Sequence, residues 1–229
     1  MRTVLLERDK ILRRGRRLEY FTILWNSLEA LMALASGIIA GSVALVGFGL
    51  DSLVEVTSGG ALLWRLHQDD ESRRERVERV ALRVVGTCFV LLAVYVAYDS
   101  VRTLFARQAP ERSVPGILLA AVSLIVMPIL ARSKRSVATS IERSAMNAGA
   151  RQTEFCAYLS AILLGGLLLN ALLGWWWADS IAALIMVPLI AKEGISALQG
   201  KSVALEAAPV TEGGIRPLRH RIVHRRLAP

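Results

Sequence analysis

The sequence predicts an all-α, polytopic membrane protein with six transmembrane helices. Of its 229 residues, 54% are hydrophobic, and the charged residues are segregated into blocks. Six apolar runs lie between these blocks, and each is long enough to cross a bilayer, which takes about 20 residues of helix. The runs lack the alternation of lipid-facing strands. This excludes a transmembrane barrel, the other architecture that satisfies backbone polar groups in lipid.

The net charge of +9 comes from an uneven distribution of Lys and Arg. Twenty-five of the 28 basic residues fall on one side of the predicted helices, and only Arg102, Arg107 and Arg112 fall on the other. Loops of membrane proteins that carry excess Lys and Arg face the cytosol. We therefore expect an integral protein of the cytoplasmic (inner) membrane with both termini cytosolic. The expected partner of these charges is the lipid bilayer, and no nucleic acid is expected.

The chain divides into three parts. Residues 1–17 form a basic cytosolic N-terminal segment that can also contact anionic lipid. We expect residues 18–199 to form the six-helix transmembrane domain and residues 200–229 to form a short basic cytosolic tail. Cys88 and Cys156 lie inside apolar runs on different helices, so a disulfide framework is not expected.

The six predicted helices follow one another with short connections. A mixed-charge stretch at residues 67–83 is expected to be a solvated helical extension, and residues 132–151 are expected to form a cytosolic loop. The helices are predicted at residues 18–40, within 41–66, at about 80–104, at about 114–131, at about 150–174 and from 179 to about 198.

Three polar or aromatic features mark the predicted helix ends. Asp99 and Arg102, three residues apart at the end of the third run, can form an ion pair. The Trp175–Trp177 triplet is typical of an aromatic belt at the outer interface. Asp179 is expected to cap the sixth helix.

The second helix, Gly41–Leu66, carries Asp51 and Glu55 near its middle. Their spacing of four residues places both carboxylates on one helix face, one turn apart. Ionisable groups this deep in a membrane face other helices or water and need a partner. A cation is the obvious partner for two adjacent acids. The alternative is that one acid is a buried hydrogen-bonding residue that holds helices together.

The first helix carries Asn26 and Glu29, which are three residues apart and therefore share a face. Glu29 is either a third acid in a cation pathway or an interhelical hydrogen-bonding group. The sequence leaves both interpretations open.

Two stretches resemble the cation diffusion facilitator family. The segment GFGLDSLVE at 47–55, followed by SGGALLWR at 58–65, is similar to the second-helix motif of that family, whose members have six helices and a D-x-x-x-D pair there. The segment AGARQTEFCAYLS at 148–160 aligns without gaps with the family pattern A-D-A-x-H-x-x-x-D-x-x-x-S. The Ala178–Asp179 pair then matches the family's Ala-Asp pair.

The resemblance implies a metal site with altered ligands. Glu55 replaces the second Asp of helix two, Gln152 stands where the family has His, and Cys156 and Gly149 stand where it has Asp. The implied ligands are two carboxylates, a carbonyl oxygen and a thiol. The candidate residues are Asp51, Glu55, Gln152 and Cys156, with Glu29, Asn26 and Glu154 as further candidates.

Each helix-five candidate has an alternative interpretation. Cys156 can be a small apolar core residue, and Gln152 can be an interfacial polar residue near the cytosolic mouth. Glu154 points elsewhere on an ideal helix, and it could compensate for the missing ligands only if the helix were rotated.

The resemblance further implies a divalent metal cation transporter that exchanges the ion for protons by alternating access and exports it from the cytosol. Zinc is the expected ion, although carboxylates favour harder ions and a thiolate favours softer ones. The ion is cargo, and no resident cofactor is expected. Family members usually carry a cytosolic domain after helix six. The stretch at 200–229 is too short for one, so a homodimer is expected to form through the transmembrane helices.

The sequence also bears on two other classes of function. A non-transporting membrane interaction protein could retain the cation-efflux fold with a degenerate metal site. A membrane enzyme is not expected, since the sequence has no Ser/His/Asp set, no Gly-rich phosphate loop and no HExxH motif.

Overall fold

The computed structural model describes the backbone of residues 2–66, 71–141 and 144–199, and it describes side chains at 13–60, 63, 80, 82–137 and 152–199. Six α-helices account for nearly all of these residues, and each contains a stretch long and apolar enough to cross a membrane. The predicted all-α fold with six spans is confirmed. The helices are α1 (Arg2–Ala40), α2 (Val43–Leu66), α3 (Glu71–Phe105), α4 (Val114–Ile141), α5 (Ser144–Leu173) and α6 (Ala178–Leu198).

The helices extend beyond the apolar runs at the end of the bundle where α1 begins and α6 ends, which we call the basic end. The helical extension predicted before the third span is present from Glu71 onward. The prediction of a loop over residues 132–151 is wrong, because α4 continues to Ile141 and α5 begins at Ser144. Lys134 and Arg135 of this stretch pair with Glu19 and Glu154 on neighbouring helices, so their charges are compatible with a helix. The predicted tail at 200–229 lies outside the described residues.

Helix α2 is the central element of the bundle, since it contacts α1, α3, α5 and α6. Helices α1 and α2 approach each other closely where glycines remove side chains. A Cβ atom on Gly37 would lie 2.8 Å from Val46 Cγ2, and one on Gly49 would lie 2.8 Å from Leu34 Cγ. Small residues allow this kind of close packing between membrane helices. The other extensive pairs are α4 with α5 and α3 with α6.

The outer faces of the helices carry many large apolar side chains, while several polar and charged side chains lie inside the bundle beside its hydrophobic core. Leu24 and Ile39 on α1 are 70% and 79% exposed, whereas Asn26, Ser52 and Asp51 are buried. Apolar side chains on the outer faces suit contact with lipid, and acids inside the bundle avoid it. The arrangement is that of an integral membrane protein.

At the end opposite the basic end, Asp179 joins α6 to the start of α2. The prediction that Asp179 caps α6 is wrong, since residue 177 is the N-cap of that helix and no side chain bonds there. Its carboxylate instead accepts hydrogen bonds from Ser42 Oγ and from the Ala44 N–H, the latter at 3.4 Å. Ser42 Oγ in turn accepts from the Leu45 N–H at 3.1 Å. Ser42 is a good N-cap residue, so the carboxylate completes the cap of α2.

Three further contacts lie at this end of the bundle. Arg102 and Asp99 form an ion pair with an N–O distance of 3.4 Å, as predicted. The rings of Trp175 and Trp177 are stacked, with centroids 5.0 Å apart, and both are partly exposed. Asn170 of α5 donates to the Pro110 carbonyl at 3.1 Å, which ties α5 to the connection between α3 and α4.

Candidate metal centre

Asp51 and Glu55 of α2 converge with Cys156 of α5 inside the bundle. A carboxylate oxygen of each acid and the thiol sulfur all lie within 4.8 Å of one another, and all three residues are buried. The spacing of four residues on α2 places the two acids on one face, as expected from the sequence, and that face looks toward α5. We call these three residues the acid–thiol cluster.

Most acceptor atoms in and beside the cluster have no hydrogen-bond partner among the described residues. Both oxygens of Asp51, Oε1 of Glu55 and Oε1 of Glu29 are buried and unpartnered, as is Oδ1 of Asn26. Leaving a buried polar atom unpaired costs about 1–3 kcal/mol, and more when it is charged. Every one of these atoms is an acceptor. Protons or a cation would therefore satisfy them together.

Glu55 and Glu29 each have one partnered oxygen. Asn26 Nδ2 donates to Oε2 of Glu55, which joins α1 to α2 beside the cluster. Ser52 Oγ donates to Oε2 of Glu29 at 3.0 Å. One oxygen of Glu29 thus makes an interhelical hydrogen bond, which fits the second interpretation from the sequence, and a role in a cation pathway stays a prediction.

A cavity of about 160 Å³ borders Glu29 between α1 and α4. Its walls are apolar apart from Glu29 and the indole of Trp25, whose Nε1 is also buried without a partner. Leu28 and Leu118 line the cavity and are well exposed, so it lies close to the outer surface of the bundle.

Gln152 lies one helical turn from Cys156, on the side of the basic end. Its Oε1 accepts a hydrogen bond from Ser58 Oγ at 3.2 Å, and Ser58 lies three residues after Glu55 on α2. The two polar residues therefore link α2 and α5 just beside the acid–thiol cluster.

Glu154 is directed away from the cluster. Its carboxylate forms an ion pair with Arg135 of α4, and both side chains are partly exposed. The rotation of α5 that would bring Glu154 toward Asp51 is not seen.

Sequence reasoning missed a buried ion pair near the cluster. Lys134 of α4 contacts Glu19 of α1 with an N–O distance of 3.0 Å. A signal was present, since Lys134 continues the stripe of buried residues on α4 at helical spacing. The other members of that stripe are Met127, Leu130, Ala131 and Val137. Glu19 likewise begins a buried polar stripe on α1 that continues through Thr22, Asn26 and Glu29.

Comparison with known proteins identifies relatives of this chain. The chain is 28% identical over 174 residues to the magnetosome protein MamB of Magnetospirillum gryphiswaldense, an alignment that covers 73% of this chain and 58% of the relative. MamB of Paramagnetospirillum magneticum is 26% identical with the same coverage. MamB of a Magnetospira species is 26% identical over 166 residues, which cover 69% of this chain and 56% of that relative. The chain thus spans less than two thirds of the length of these relatives.

The family comparison covers most of the chain. Residues 20–202 match the family described as the cation efflux transmembrane domain. This match includes all six apolar spans except the first residues of α1. It confirms the resemblance drawn from the motifs on α2 and α5. The chain belongs to the cation efflux family, whose members are transporters of metal cations.

Proposed function

We propose that the protein carries a divalent metal cation across the membrane, bound by Asp51, Glu55 and Cys156. The observation that supports this most directly is the set of unpartnered, buried carboxylate oxygens beside a thiol. In an apolar bundle such a set is tolerable only when protons or a cation neutralise it. Asn26, which bonds to Glu55, and Gln152, one helical turn from Cys156, are the further ligands that we propose, together with Glu29.

Zinc is the ion that we favour. Two carboxylates and a thiolate supply three of the four ligands of a tetrahedral zinc site, and the fourth can be water, Gln152 or Asn26. The thiolate argues against magnesium and calcium, which prefer oxygen ligands alone.

We propose proton exchange as the coupling. Carboxylates and thiols bind a metal only after they lose their protons, so the ion and the protons compete for the same atoms. Because the acid–thiol cluster is buried, it must be exposed to the two sides in turn, which amounts to alternating access.

The orientation follows from the charges. Loops rich in Lys and Arg stay on the cytosolic side of a membrane. We therefore place the basic end in the cytosol, which makes both termini cytosolic in a protein of the inner membrane. We propose export of the ion from the cytosol, because this is the direction that the family resemblance implies. We further propose a homodimer formed through the apolar outer faces of the transmembrane helices.

A flux measurement in proteoliposomes tests the function. Asp51→Asn removes one charge with little change of shape, and we expect it to abolish zinc flux. Glu154→Gln is the matched control, because it makes the same loss of one acid at another residue that the sequence offered as a ligand, but Glu154 pairs with Arg135 away from the cluster. Its flux should equal that of the unaltered protein. Normal flux by Asp51→Asn would contradict the proposal.

The competing function is a non-transporting interaction protein with a degenerate site. The bond between Gln152 and Ser58 is the observation that favours it, since a candidate ligand is already engaged. Calorimetry separates the two proposals. A transporter site binds zinc, manganese or cobalt in a pH-dependent way, whereas a degenerate site shows no such binding.

A further inference from the structure

The Glu19–Lys134 ion pair is buried in the part of the bundle between the acid–thiol cluster and the basic end. The side chains are 7% and 2% exposed, and their charged atoms are 3.0 Å apart. Taking two charges out of water costs several kcal/mol per ion, and their mutual attraction offsets this cost only while the two groups stay in contact. A movement that separates α1 from α4 before water reaches the two charges is therefore unfavourable.

The ion pair lies one turn from the metal-binding acids. Oε1 of Glu19 is 3.0 Å from the point where a Cβ on Gly59 would stand, and Gly59 lies four residues after Glu55 on α2. The absence of a side chain at Gly59 thus makes room for the carboxylate. Lys134 also attracts Glu55 electrostatically.

The same turn of α2 carries Ser58, which donates to Gln152 of α5. Two polar contacts therefore lie side by side, one between α1 and α4 and the other between α2 and α5. We call Glu19, Lys134, Ser58 and Gln152 the basic-end layer. A cation that moves between the basic end and the acid–thiol cluster along these helices crosses this layer, where Glu19 is already paired with Lys134.

We propose that the Glu19–Lys134 ion pair is the gate between the basic end and the acid–thiol cluster, and that it opens when α1 and α4 separate. This inference rests on the proposed function. Glu19 and Lys134 are positioning residues in it and do not bind the transported ion. Closing the gate pairs the two charges, and opening it releases both toward water.

The reactivity of Cys156 tests the gate without any metal. Cys156 is buried within the cluster, and replacing the exposed Cys88 by Ser leaves it as the single thiol. The probe is a cationic methanethiosulfonate reagent, applied to the purified full chain in detergent, with the modified protein counted by mass spectrometry. In the double variant Glu19→Gln with Lys134→Met, no unpaired charge remains and the net charge near the thiol is unchanged. We expect modification about tenfold faster or more, because opening no longer breaks an ion pair.

Two matched variants accompany the test. Arg135→Met with Glu154→Gln removes the neighbouring, partly exposed pair between α4 and α5 and should react at the unaltered rate. Lys134→Arg keeps the charge and should also react slowly. Equal rates for the double variant and the unaltered protein would overturn the gate. So would equal acceleration in the Arg135 control, because it would indicate general loosening of the bundle.

A second variant covers the case in which the double variant does not fold. Glu19→Asp keeps both charges and shortens the arm by one methylene, so an intermediate acceleration is expected, and the unaltered rate would overturn the gate. Failure of the gate is distinguishable from failure of the proposed function. An unchanged Cys156 rate together with loss of zinc flux in Asp51→Asn removes the gate alone.

Discussion

Asn26 donates its amide N–H to Oε2 of Glu55 and leaves its own carbonyl oxygen unpaired. The donor fixes the Glu55 carboxylate from α1, while the carboxylate's other oxygen faces the acid–thiol cluster without a partner. A residue outside the D-x-x-x-D type of motif therefore orients one of its acids.

Replacing Asn26 by Leu should weaken zinc binding. A hydrogen bond to a charged group contributes about 1.5–3 kcal/mol, so the dissociation constant should rise about 10- to 100-fold. Calorimetry in detergent measures this change. Ser27→Ala is the control, because Ser27 is the next residue and bonds only to the Ile23 carbonyl on the exposed side of α1. An unchanged affinity in Asn26→Leu would mean that Glu55 does not depend on this contact.

Replacing Cys156 by Ser should change the preference among metals. Loss of the thiolate removes the softest ligand, so affinity for zinc and cadmium should fall much more than affinity for manganese. Cadmium binding to the unaltered protein should also give an ultraviolet charge-transfer band that Cys156→Ser lacks. Cys88→Ser should leave both the band and the affinities intact, since Cys88 is not part of the cluster. A band that survives in Cys156→Ser would remove the thiol from the site.

Metal binding should release protons. Binding requires deprotonated carboxylates and thiol, so zinc affinity should increase as the pH rises and decrease in acid. Calorimetry in buffers of different ionisation enthalpy counts the released protons. Asp51→Asn lacks one titrating group beside the ion. Where this variant still binds zinc, each binding event should release fewer protons than in the unaltered protein. Proton release that is zero at every pH would contradict exchange of metal for protons.

Asp179→Asn should destabilise the fold while leaving the acid–thiol cluster intact. The carboxylate completes the N-cap of α2, and losing a cap costs about 0.5–2 kcal/mol. A lower midpoint of thermal unfolding in detergent is the expected result, with unchanged zinc affinity. Asp99→Asn provides the comparison, because its partly exposed ion pair with Arg102 should contribute less than about 1 kcal/mol. A strong loss of zinc affinity in Asp179→Asn would show that this end of α2 also shapes the site.

The sequence predicted well what depends on helical spacing. Six apolar runs predicted six helices, and the four-residue interval between Asp51 and Glu55 predicted their common face. The register of the family motif predicts that Cys156 shares a face of α5 with Gln152. The structure brings Cys156 beside the two acids. These features depend on the period of a helix and on the length of a membrane span.

The sequence could not predict which charges pair across helices. The basic stretch at 132–151 predicts a loop that contains Lys134, although a helix carries this residue into the bundle to contact Glu19. The sequence predicts that Asp179 caps its own helix, α6, although its carboxylate completes the cap of α2. In both cases the partner lies more than a hundred residues away, and only the packing of the helices brings the two groups together.

The close approach at Gly37 and Gly49 holds α1 and α2 together as a unit, and α4 and α5 form a second extensive pair. The acid–thiol cluster is divided between these units, with its carboxylates on the first and its thiol on the second. Glu19 and Lys134 are divided in the same way. A single displacement of one helix pair against the other would therefore admit water and, at the same time, move the carboxylates away from the thiol. Release of a bound ion would then need no separate trigger.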